Sequence, residues 1–193
     1  RSTSFLLEGN PLWDKLTKNI KVSFSAYNDL FSNYKKKKID FEILLIFSRD
    51  ILDEFSINHK TQKNRLNQIV KGIESKAKLN KNTKYLIFFS SYYFNSLSEN
   101  IKSNLSNNFK KVFSDKIYKS SNKNNNIYYI DIDNFFSEIG FNICFDSRNF
   151  YHLRCPLSLD GLEVFINSIK NTINSIKLPK KKVLLLDCDN TLW

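Results

Sequence analysis

Methionine is absent from the 193 residues, an initiator included, and the chain opens on Arg1-Ser-Thr-Ser. Both features predict a piece of a longer protein, open at both ends. Cysteine is scarce: Cys144, Cys155 and Cys188, an odd number without C-x-x-C spacing. That excludes a disulfide framework and a cysteine-based zinc site, and it fits a reducing, cytoplasmic setting. No apolar run approaches the length of a membrane-crossing helix, and no signal peptide is visible. No recognition helix or RNP-like aromatic motif accompanies the net charge of +11, and the lysines read as scattered, so no nucleic-acid partner is expected. Internal repeats are lacking as well.

What is present is alternation. Asn10-Pro11 marks a helix start, with Leu12, Leu16 and Ile20 at helical spacing. Lys21 to Ala26 alternates apolar and polar residues and reads as a strand, and Tyr27 to Tyr34 as a short amphipathic helix. Phe41 to Phe47 and Lys84 to Ser90 are nearly continuous apolar runs, the pattern of strands buried on both faces. Leu66, Ile69, Val70, Ile73 and Ala77 stripe the helix between them. Leu97 through Phe113 stripe the next helix, and Ser120 to Asn126 reads as a flexible polar loop. Ile127 to Ile130 is a strand, and Asp133 to Ile139 a helix stopped by Gly140. Phe141 to Leu157 reads as irregular. Ser158 caps a final helix striped by Leu162, Phe165, Ile166, Ile169, Ile173 and Ile176, and Pro179 ends it. Strands alternating with helices predict an α/β fold, a doubly wound, mostly parallel sheet with helices on both faces. Pro179 to Lys182 is the domain boundary, dividing 1–178 from 179–193.

Val183 to Trp193 carries the sharpest motif. Four apolar residues lead into Asp187, Asp189 and Thr191. Residues i and i+2 of a strand point the same way, so both carboxylates face one site from the carboxyl end of a strand, where open α/β sheets bind ligands. The competing readings are an acidic turn and the D-x-D metal motif of glycosyltransferases. Asp131-Ile-Asp133-Asn134 also ends an apolar run, but a helix continues from it and no Thr follows at the matching position. Asp133 therefore reads as a helix N-cap rather than a catalytic group. Ser2, Thr3 and Ser4 occupy the place of a loop after a lost first strand. Ser4 with His152 would be a serine-esterase arrangement. His59 reads as a surface residue.

The apolar run with D-x-D-x-T is similar to the opening motif of haloacid dehalogenase-like phosphatases. Asn190 and Leu192-Trp193 narrow that likeness to FkbH-like proteins. Four further stretches resemble the same family: Ser25-Ala-Tyr-Asn28, Tyr129-Ile-Asp131 with Gly140, Asp146-Ser-Arg148-Asn-Phe-Tyr151, and Pro156-Leu-Ser158 with Gly161-Leu162. The resemblance spans essentially the whole chain, specific at its end and looser before residue 127. It implies an N-terminal domain similar to SGNH hydrolases, of flavodoxin-like three-layer build, followed by the first strand of a Rossmann-like phosphatase domain. It further implies Mg²⁺ held by Asp187 and Asp189, with Asp187 as nucleophile, Asp189 as general acid and base, and Thr191 binding phosphate. Implied substrates and partners are a phosphorylated three-carbon acyl donor and an acyl carrier protein. Asn28 and His152 fall at the place of the N-terminal domain's own site. Cys155 precedes Pro156 where an SGNH esterase has His, and no Gly-Asp-Ser block is seen, so the N-terminal domain is expected to bind or position rather than catalyse.

Overall fold

A computed structural model describes residues 7–24, 39–48, 59–91, 99–153 and 155–178, without the side chains of 59–62 and 99–108. Its elements are α1 (Pro11–Thr17), β1 (Phe41–Phe47), α2 (His59–Leu79), β2 (Lys84–Ser90), α3 (Glu99–Lys123), β3 (Ile127–Asp131), α4 (Asp133–Ile139), α5 (Phe141–Cys144), α6 (Ser147–Leu153) and α7 (Leu159–Lys177). The three strands form a parallel sheet in the order β1-β2-β3. Phe41 pairs with Lys84 at one end and Phe47 with Ser90 at the other; β3 adds Ile127 beside Tyr85.

Each strand feeds two cores because alternate residues point to opposite faces. In β2, Leu86 and Phe88 enter one cluster; Tyr85, Ile87 and Phe89 enter the other. The first cluster is closed by Trp13 of α1, Phe136 of α4, and Leu162, Phe165, Ile166 and Ile169 of α7. The second is closed by Leu66, Val70, Ile73 and Ala77 of α2 and by Phe109, Phe113 and Ile117 of α3. Phe113 stacks on Phe89 at 4.7 Å between ring centroids, and Phe165 meets Phe88 edge-on at 5.3 Å. Side chains of this kind each contribute about 1.5–3 kcal/mol by leaving water. The three-layer α/β architecture expected from the alternation is therefore present, with helices on both faces. No described helix is long and apolar enough to cross a membrane.

Helix ends follow the local chemistry. The Asn10 side chain accepts from the backbone N–H groups of Leu12 and Trp13, and Ser158 accepts from Gly161 N–H at 3.0 Å. Gly140 ends α4 with φ +110°, a conformation L side chains rarely adopt. The amide of Asn126 donates to the carbonyls of Ala77, Asn80 and Thr83, at 3.0–3.2 Å, tying the α2–β2 turn to the start of β3. Asn126→Ala should cost about 1.5 kcal/mol in urea unfolding, since those carbonyls lose a shared donor; an unchanged midpoint would show that water replaces it without loss.

Four expectations are corrected. Lys21 to Phe24 forms no strand: Val22 and Phe24 are exposed, because no partner strand pairs with them among the described residues, and Phe24 instead lies 6.2 Å from the Trp13 ring. Ser120 to Lys123 is not a loop but the last turn of α3, since Ile117 and Ser120 are both buried against the α2 side and Ser120 hydrogen-bonds Glu74. Phe141 to Leu157 contains two short helices, α5 and α6, and Phe145 bridges to Leu157 in antiparallel fashion. Asp133 is not the N-cap of α4; Ile132 holds that position, and the Asp133 carboxylate turns inward. The Tyr27 to Tyr34 helix and everything from 179 on, the Val183 strand included, lie outside the described residues.

Candidate functional site at the carboxyl edge of the sheet

Parallel strands end together, and here their carboxyl ends gather polar side chains. Ser48 follows β1, Ser90 ends β2 with Ser91 after it, Asp131 ends β3, and Asp133 opens α4. Ser48, Ser90 and Asp133 are buried. Ser48 Oγ donates to the Ser90 carbonyl at 3.3 Å. Asp133 accepts from Ser90 Oγ at 2.6 Å, from Ser91 N–H at 2.9 Å, from Ser91 Oγ, and from Lys110 Nζ at 3.1 Å. Lys110, reaching over from α3, also lies 2.7 Å from Asp131 Oδ2. Asp131 Oδ1 in turn accepts from Asp133 N–H at 3.2 Å. One ammonium thus bridges two carboxylates, and Asp133 draws three chain segments to one point.

The electrostatics follow. Partial burial opposes the charge on Lys110, but its hydrogen bond to Asp131 and the negative charge of Asp133 outweigh that, and its pKa is raised. Lys110 is consequently a fixed cation, not a general base. Beside the cluster, the Tyr129 hydroxyl is buried and has no hydrogen-bond partner among the described residues. Burial first, then the charge of Asp131, raises its pKa, so the phenol stays neutral.

Ser91, Ser90 and Lys110 are absent from the sequence expectations. The usable signal was Ser90-Ser91 at the carboxyl end of a buried parallel strand; nothing in the spacing pointed to Lys110. Among the expected site residues, His152 is exposed on α6 and pairs with no serine among the described residues. Asp187, Asp189, Thr191, Ser4 and Asn28 lie outside the described residues. Cys144 and Cys155 are both buried; burial, with Asp160 nearby, raises the pKa of Cys144, which makes it a poor nucleophile.

Two of the family-like motifs prove to be local architecture. Arg148 donates Nε and an Nη to the two oxygens of Asp146, at 3.1 and 2.8 Å, and its backbone N–H donates to the same carboxylate. The side-chain hydrogen bonds of Arg148 hold the Asp146 carboxyl below its usual range. The D-x-R pair therefore opens α6. In the Ser158/Gly161 motif, Ser158 Oγ donates to the Ile143 carbonyl at 2.6 Å, and a Cβ on Gly161 would lie 2.1 Å from the Cys144 oxygen. That glycine is required for α7 to approach α5.

Among the described residues no group of three His, Cys, Asp or Glu side chains could hold a metal. Asp131 and Asp133 do not fit Mg²⁺, because Lys110 already supplies the positive charge between them and four donors occupy Asp133. Neither the family models nor the curated proteins that were searched give a match. The chain is similar to a solved crystal structure, the N-terminal part of the protein BF1531 from Bacteroides fragilis, which contains a phosphatase domain and is complexed with Mg. The TM-score is 0.54 at 19% identity, over 80% of this chain and 42% of that one. At that identity the likeness is one of fold, and this chain spans less than half the length of that structure.

Proposed function

We propose that residues 1–178 form a positioning domain joined to the opening strand of a Mg²⁺-dependent, haloacid dehalogenase-like phosphatase of the FkbH-like kind. The observation that carries the first half is the saturation of Asp133: with Ser90, Ser91 and Lys110 all committed to it, the described carboxyl edge holds no activated serine and no free base. The chemistry is assigned instead to Asp187 and Asp189. The carboxylate of Asp187 attacks phosphorus, the bond to the leaving oxygen breaks, and Asp189 supplies that oxygen with a proton. Asp189 then takes a proton from the water that cleaves the aspartyl-phosphate. Mg²⁺, when held by the same two carboxylates, offsets the charge of the phosphoryl group. The structural neighbour supports this reading through a similar fold in a structure that contains a phosphatase domain and is complexed with Mg. The substrate in this reading is a phosphorylated three-carbon acyl donor, and the acceptor is an acyl carrier protein.

The test is phosphate release from a phosphorylated three-carbon acid by the longest open reading frame that contains this chain. Turnover should require Mg²⁺, fall to background in Asp187→Asn, and fall by about 10²-fold or more in Asp189→Asn. Undiminished turnover in Asp187→Asn would remove the assignment.

A further inference from the structure

We draw no further inference here: the strongest candidate, the outer edge of β1, a strand apolar on both faces that has a neighbouring strand on one side only among the described residues, carries nothing because nothing in the structure shows what covers it.

Discussion

Asp133→Ala should destabilise the domain by about 3–5 kcal/mol, the range for removing one partner from a buried charge pair. The cause is what the substitution leaves behind. Ser90 Oγ, Ser91 N–H, Ser91 Oγ and Lys110 Nζ all point at the deleted carboxylate, and Ser90 is buried. Lys110 retains Asp131, which limits the loss on that side. Urea unfolding followed by far-UV circular dichroism measures it. A loss below about 1 kcal/mol would show that water fills the site and that the cluster is not a structural anchor. The pH dependence provides a second check. An ammonium whose folded pKa is raised contributes stability that is fully present below its unfolded value, about 10.4, and is lost as pH rises through the folded pKa. The native domain should therefore lose stability in alkali through Lys110, and Asp133→Ala should lose less there, because part of what raises that pKa is gone.

Gly161→Ala should be of similar size, about 3 kcal/mol, by a different route. The added methyl would stand 2.1 Å from the Cys144 oxygen and 2.9 Å from its carbonyl carbon, both backbone atoms that no side-chain rotation moves aside. Relief requires α7 to slide away from α5, which strains the bonds from Ser158 to the Ile143 and Cys144 carbonyls. Differential scanning calorimetry would record a lower Tm. An unchanged Tm would mean that the α5–α7 contact relaxes without cost. Gly9→Ala is the contrasting case, backbone strain without a clash, since Gly9 has φ +81° but nothing within 4 Å of its Cβ direction.

Much of this fold is legible in the sequence, and the reasons are physical. The strands at Phe41, Lys84 and Ile127 announce themselves through short apolar runs, densest in β2, which is buried on both faces. The helices α2, α3 and α7 announce themselves through the 3.6-residue stripe. Lys21 to Phe24 misled because alternation describes a strand only when a neighbour supplies hydrogen bonds, and none pairs with it among the described residues. Ser120 to Lys123 misled because polar composition resembles a loop while the helix continues on buried Ile117 and Ser120. The carboxyl-edge cluster was half visible. Asp131 and Asp133 stood out by spacing, but Lys110 is 21 and 23 positions away in the chain and arrives only when α3 crosses the sheet.

The double-faced burial of β2 has a consequence for how the sheet finds its alignment. In a strand with one wet face, a slip of one residue drives apolar groups into water and is rejected at once. In Tyr85-Leu-Ile-Phe-Phe89 both faces are dry, so such a slip would trade one apolar residue for another and meet little solvent penalty. Something else must choose the alignment, and polar groups stand at both ends to do so. Asn126 fastens the entry to β2 to the entry to β3, and Asp133 fastens Ser90 and Ser91 at the exit. The two fasteners act as end stops on a rail that is otherwise smooth. Hydrophobicity builds the sheet, and a few hydrogen bonds at its margins decide which residue lies beside which.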